Sequence, residues 1–178
     1  LSLKLAKQKA KTWQAPHFLP DATITKSFIG SLPFKLTRAQ LRVMAEIETD
    51  CTLHHPMMRL VQGDVGSGKT IVAAYAALLA LAAGYQVAIM APTELLAEQH
   101  YRNFSGWFNL FATQITLLTG QVKGNPRKEI LLALQDGATG IVIGTHALFQ
   151  DGVNFHRLGL IIIDEQHRFG VHQRLALR

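Results

Sequence analysis

Gly63-Asp64-Val65-Gly66-Ser67-Gly68-Lys69-Thr70 packs three glycines, a lysine and two hydroxyls into eight residues. It matches the G-x-x-x-x-G-K-[ST] pattern without exception. The glycines let the backbone curl until successive N–H groups converge on an anion, and a helix opening at Lys69 would add its partially positive end. In this pattern Lys69 reaches the β- and γ-phosphates of a nucleoside triphosphate, and Thr70 ligates Mg²⁺ through its hydroxyl. Asp64 and Val65 fill the loop and bring no chemistry of their own. The plain alternative is an ordinary Gly-rich turn, which would not need a strand before it and a helix after it.

A second group of residues supplies acids. Leu158-Gly159-Leu160-Ile161-Ile162-Ile163 is apolar throughout and ends in Asp164-Glu165-Gln166-His167. α/β folds place their ligands at the C-terminal ends of such strands. Asp164 is the candidate Mg²⁺ anchor, and Glu165 the candidate base that polarises an attacking water. Two acids at a helix start also suit the helix dipole, so the pair gains its meaning from the phosphate loop upstream. A second acid in this place points to hydrolysis rather than to a nucleotide kinase.

The elements that must hold these groups follow from hydrophobic rhythm. Short apolar runs at Met58–Val61, Val87–Ala91, Ile115–Leu118, Ile141–Gly144 and Leu158–Asp164 read as strands. Helical patterns lie between them at about 37–49, 69–83, 94–107 and 125–135. Three of the strand runs are apolar almost throughout, as strands covered on both faces are. Alternation at this spacing predicts a parallel sheet with helices on both faces. Before it, Leu1 to about Trp13 is a Lys-rich helical pattern. Pro16, Pro20 and Gly30 then punctuate what reads as an irregular connector, with a boundary near residue 30.

Length and composition set limits. The chain has 178 residues, 48% hydrophobic and 17% charged, enough for one domain with a real core. Cys51 is the only cysteine, which excludes a disulfide scaffold. The stretch from Ile71 to Ala91 is apolar enough to suggest a membrane span. Gly84-Tyr85-Gln86 breaks it, and the halves fit an Ala-rich helix, a stop and a strand. Eight histidines are scattered without H-E-x-x-H spacing, so no structural zinc is expected. Trp107, with Phe104 and Phe108, reads as core rather than as a base-stacking platform. Of the net +6 charge, residues 1–42 carry +7: eight Lys/Arg against Asp21. A basic arm of this kind suits either a solvated helix face or a polyanionic partner. The opening Leu1 and the lack of a leader suggest an internal stretch of a longer protein.

These segments resemble superfamily 2 helicases. The phosphate loop resembles motif I, Asp164–His167 (DEQH) resembles motif II of the DEAD/DEAH-related branch, and Ala91–His100 (APTELLAEQH) resembles motif Ia. Together LVQGDVGSGKT, APTELLAEQH, GTHALFQ and IIIDEQHRFGVHQR resemble the RecG family of bacterial ATP-dependent DNA helicases, over about residues 30–178. The resemblance implies a RecA-like lobe over 31–178, preceded by a basic helical linker over 1–30. ATP and Mg²⁺ are the implied cofactors. Branched or duplex DNA is the implied partner, with a second RecA-like lobe and an N-terminal wedge domain elsewhere in the same chain. A bacterial cytoplasmic, nucleoid-associated setting and no membrane are implied too. An RNA helicase, a transcription-repair coupling type of duplex translocase and a noncatalytic nucleotide-binding module remain open alternatives.

The resemblance also assigns residues. Gln40, preceded by Phe34, resembles the motif that reads adenine; locally, Thr37 and Gln40 also spell a capping box. Thr93 and Glu94, Thr119 and Gly120, and Thr145 and His146 fall where the family contacts the nucleic-acid backbone, though each also suits an ordinary strand-end turn. Gln166 and His167 would couple hydrolysis to movement. Arg168-Phe169-Gly170 is typical of the branch. Motif III and the second lobe, with its arginine finger, would follow Arg178. An arginine finger is worth roughly 10³–10⁵ in rate. Residues 1–178 by themselves should therefore bind ATP weakly, hydrolyse it slowly and unwind nothing. Robust strand separation by the isolated chain in a forked-DNA assay would refute this.

Overall fold

The computed structural model describes residues 15–164, and the chain divides after Ala83 into two compact units. The helix expected before Trp13, and Glu165, Gln166, His167 and Arg168–Gly170, lie outside the described residues.

The first unit is helical among its described residues. Helix α1 spans Ala22–Ser31, α2 spans Arg38–Cys51 and α3 spans Lys69–Ala82. The expected irregular connector before residue 30 thus contains a helix. Asp21 starts it by accepting hydrogen bonds from the N–H groups of Thr23 and Ile24 at 2.8 and 3.2 Å. Thr25 and Phe28, three apart on one face, are buried, and the Phe28 ring lies 6.5 Å from that of Tyr75 in α3. Gly30 falls in the last turn, where its lack of a side chain costs little.

Helix α3 is Ala-rich, which favours helix and lets neighbours approach closely. Ala74, Ala77 and Ala80 are fully buried. The Tyr75 hydroxyl donates to Glu48 of α2. Burial, then that carboxylate, pushes the phenol well above its ordinary range. At the end of α2, burial and then the neighbouring Asp50 and Glu48 push the Cys51 thiol up to about 11.

Met58–Val61 forms no strand, contrary to its apolar pattern. The first unit offers no strand among its described residues, so the segment has no ladder to join. Arg59 is held instead by α2, at 2.5 Å from Glu46 and 2.7 Å from Asp50. Met58 and Leu60 are left exposed.

The second unit is a parallel α/β sheet. Strands β1 (Gln86–Met90), β2 (Gln114–Leu118), β3 (Thr139–Gly144) and β4 (Leu158–Ile163) lie in the order β2-β3-β1-β4. Every pairing is parallel. Helix α4 (Glu94–Trp107) carries the chain from β1 to β2, and α5 (Gly124–Gln135) from β2 to β3. β1 is buried at all five positions and β3 at five of six, which requires cover on both faces. Ala88, Met90, Val142, Leu118, Leu134 and Leu148 form one continuous core cluster. Phe104 and Phe108 are buried as core, whereas Trp107 is only half-buried beside Phe104, with ring centroids 5.8 Å apart, so it borders the core instead of filling it.

One buried polar side chain ties the opening of the sheet together. Gln86 donates from Nε2 to the carbonyls of Leu134 and Thr139, at 3.0 and 2.9 Å. Its Oε1 accepts from the Arg157 N–H at 2.8 Å. Arg157 itself lies over the Tyr85 ring, 4.0 Å from its centroid. Gln86→Leu would keep the volume and strand three partners. An unpartnered buried polar group costs roughly 1–3 kcal/mol. The variant should lose about 2–4 kcal/mol of stability, read as a lowered urea midpoint of the second unit's unfolding.

Candidate functional site

The phosphate loop lies in the first unit. Gly63 to Ser67 are exposed, and Gly68, Lys69 and Thr70 are half-buried as the helix begins. Gly68 serves as the N-cap of α3 with φ 77°, a left-handed conformation that a side chain resists. Among the described residues no side chain caps this helix start, an arrangement that suits an anion at the helix N-terminus. Lys69 Nζ donates to the carbonyls of Gly63 and Asp64 at 2.7 and 2.8 Å, which holds the ammonium on the loop itself. Val65 projects fully into solvent.

Gln40 meets the loop from α2. Its Oε1 accepts from the Thr37 N–H at 2.8 Å, and the Gln40 N–H donates to Thr37 Oγ1 at 3.2 Å, so the capping box is formed. Its Nε2 donates to the Ser67 carbonyl at 3.1 Å. One amide therefore starts α2 and braces the phosphate loop. Phe34 is exposed and lines a cleft of about 410 Å³ with Ile29, Pro33, Lys35 and Leu41.

The second unit gathers the remaining described candidates along one edge. The last rungs of the ladder pair Met90 with Gly144, Met90 with Ile163, and Leu118 with Gly144. All four strands thus end level, and the residues that follow them form a row. The Asp164 N–H donates to the Met90 carbonyl at 2.9 Å, and the Ala91 N–H to the Gly144 carbonyl at 2.8 Å.

Along that row the side chains differ in what they can reach. Thr93 is exposed and caps α4 by accepting from the Leu96 N–H at 3.3 Å. Glu94, half-buried, contacts Gln121 Nε2. Gly120 and His146 are exposed, whereas Thr119 and Thr145 are buried at the roots of their turns. Thr119 and Thr145 therefore shape the turns, and Gly120 and His146 form the outer surface there.

Asp164 has a partner that the sequence reading did not single out. His100 Nε2 lies 2.8 Å from Asp164 Oδ2. His100 sits on the inner face of α4 between Ala97 and Phe104, all three buried. A histidine three and four residues from those apolar positions was the available signal.

The comparisons with known proteins bear on this geometry. The DEAD/DEAH box helicase family model matches residues 37–177. The chain belongs to the DEAD/DEAH box helicase family. Within it, the chain is 57% identical over 162 residues to the ATP-dependent DNA helicase RecG of Haemophilus influenzae, covering 91% of this chain and 23% of that protein. It is 54% identical over 177 residues to RecG of Escherichia coli K12, covering 99% of this chain and 26% of the relative. The chain thus spans about a quarter of the length of the curated relatives it matches. A solved structure of RecG bound to a three-way DNA junction superposes with a TM-score of 0.87 at 44% identity, covering 96% of this chain and 23% of the other. A hypothetical ATP-dependent RNA helicase from Sulfolobus tokodaii shares the fold, with a TM-score of 0.61 at 20% identity, over 83% of this chain and 42% of that one.

Among the described residues no helix is long and apolar enough to cross a membrane. Among the described residues there is no group of three or more His, Cys, Asp or Glu that could hold a metal.

The geometry of the loop makes a sharp demand on Gly68. A Cβ there would sit 2.2 Å from Gln40 Nε2 on a left-handed backbone. Gly68→Ala should displace Gln40 from Ser67 and deform the loop. The expected result is ATP affinity at least about tenfold weaker, on the scale of 1–3 kcal/mol for such backbone strain, with helical content retained by circular dichroism.

Proposed function

We propose that this chain is the ATP-binding first motor lobe of a DNA helicase that hydrolyses ATP to remodel branched DNA, such as stalled forks and recombination intermediates. The observation that carries the reading is the phosphate loop. A left-handed Gly68, an uncapped helix start and an ammonium held at the loop occur within one turn of chain. These features suit a polyphosphate, and the carboxylate of Asp164 at a strand end suits a divalent cation.

In this reading the backbone of Gly63, Asp64, Val65, Gly66, Ser67 and Gly68 cradles the phosphates, and Lys69 neutralises charge on the β- and γ-groups. Thr70 and Asp164 hold Mg²⁺, which when bound supplies charge neutralisation at the phosphoryl oxygens. Glu165 orients and deprotonates the attacking water. Catalysis is then positioning and electrostatics, with no covalent step on the protein. The Phe34 cleft and Gln40 take adenine. Donating from Nε2 to a base would require Gln40 to share or release Ser67.

Thr93, Glu94, Thr119, Gly120, Thr145 and His146 supply the edge that meets the DNA backbone, with the buried threonines acting through the turns they build. Contact of this kind reads phosphate rather than sequence, so binding should weaken with salt. Gln166 and His167 couple turnover to movement. The RecG relatives and the RecG structure on a three-way junction support branched DNA as the substrate. The second RecA-like lobe and the wedge domain are partners within the same polypeptide, the basic residues before 31 serve as linker, and the setting is the bacterial cytoplasm at the nucleoid.

The test uses the full natural chain. Lys69→Ala should cut DNA-stimulated ATP hydrolysis by about 10²–10³-fold or more, the scale of losing one charge-stabilising donor. Wild-type turnover should be stimulated most by forked DNA, less by linear duplex and least by single-stranded RNA. Undiminished hydrolysis in Lys69→Ala would remove the phosphate loop from the mechanism. Preferential stimulation by RNA would move the protein to a different substrate class.

A further inference from the structure

His100 lies on a helix, two turns beyond Thr93, yet its imidazole reaches the end of a strand. The Nε2···Oδ2 distance of 2.8 Å is that of a charge-assisted hydrogen bond. A carboxylate only accepts, so Nε2 donates. The ring is nine-tenths buried, and among the described residues its other nitrogen, Nδ1, has no hydrogen-bond partner. Burying a polar ring in an apolar stripe is unfavourable unless a partner compensates it. Asp164 is the recorded compensation. The Asp164 backbone is fixed separately, by its N–H on the Met90 carbonyl.

We infer that His100 is a positioning residue for the metal-bearing carboxylate. It fixes the orientation of Asp164 from α4, the helix whose first turn carries Thr93 and Glu94. The inference rests on the Mg²⁺–ATP reading given above. Hydrogen-bond partners of metal ligands orient them, and their loss commonly costs 10–100-fold in metal affinity. Among the described residues two anchors act on Asp164: the strand holds its main chain and the helix holds its side chain. A shift of α4 along its axis would therefore turn the carboxylate without moving β4. His100 thereby joins the proposed nucleic-acid edge to the proposed metal site through one side chain.

The test measures metal binding rather than turnover. Mn²⁺ serves as the probe, followed by electron paramagnetic resonance on the full natural chain with a nonhydrolysable ATP analogue. His100→Leu fills the stripe but removes the donor, and should weaken Mn²⁺ binding about tenfold or more. Affinity for the analogue in excess chelator should stay at the wild-type value. His100→Gln, which keeps an N–H at similar reach, should restore Mn²⁺ affinity to within about threefold of wild type. Wild-type Mn²⁺ affinity in His100→Leu would overturn the inference. If His100→Leu does not fold, His100→Gln and His100→Asn decide, because Asn is one methylene too short; equal Mn²⁺ affinities in those two would overturn it. A wild-type chain with no nucleotide-dependent Mn²⁺ site would instead sink the Mg²⁺–ATP reading itself.

Discussion

The last rung of the parallel ladder is the constraint on which the second unit depends. Gly144 pairs with Leu118 on one side and Met90 on the other, and Met90 pairs with Ile163. A Cβ at Gly144 would lie 1.9 Å from the Leu118 carbonyl oxygen, so no other residue lets the strands close there without backbone movement. Because the strands end level, their following turns project from one edge. A parallel sheet sends every chain out of that edge in the same direction, with a helix or turn starting just beyond it. This is why residues as distant in sequence as Thr93, Gly120, His146 and Asp164 share a border without any contact pattern visible in the sequence.

The first unit solves a different problem. A loop that must bind charge cannot satisfy its own backbone completely, or it would have nothing to offer a ligand. Gly63–Thr70 meets this by bracing the loop from outside. Gln40 holds the Ser67 carbonyl, Lys69 holds the carbonyls of Gly63 and Asp64, and the helix start is left without a side-chain cap. Three carbonyls of the loop are thus held by side chains, while the helix start itself carries no side-chain cap. The α1–α2–α3 packing, with Phe28 against Tyr75 and Tyr75 bonded to Glu48, supports that brace on a rigid base.

Most of the fold could be read because apolar runs of four to six residues separated by amphipathic stretches have few other interpretations. The helices at 38–51, 69–82, 94–107 and 124–135 and the four strands lie within a few residues of the expected spans. The departures have physical causes. Met58–Val61 has a strand's composition, but a strand exists only through its neighbours, and Arg59 is drawn to Glu46 and Asp50. Helix α1 hid behind Pro16, Pro20 and Gly30, although Asp21 is placed as a cap and Phe28 as its buried face. The phosphate loop was legible because its spacing is itself the chemistry. The burial of Thr119 and Thr145 was not, because turn depth depends on the strands around it.

His100 shows most clearly where sequence reading stops. Within Ala91–His100 it looks like the last letter of a motif, and by helical period it falls with Ala97 and Phe104 on the buried face. Either view treats it as local. Its partner is 64 residues away, brought close only because α4 follows β1 and β1 lies beside β4. Neighbouring parallel strands bring the start of one strand's helix beside the end of the other, so a helix residue two turns in can reach a strand-end acid. The same topology that lines up the strand ends therefore also determines which helix can hold the acid. A polar residue on the inner face of the helix after β1 is the one sequence signal that this architecture makes meaningful.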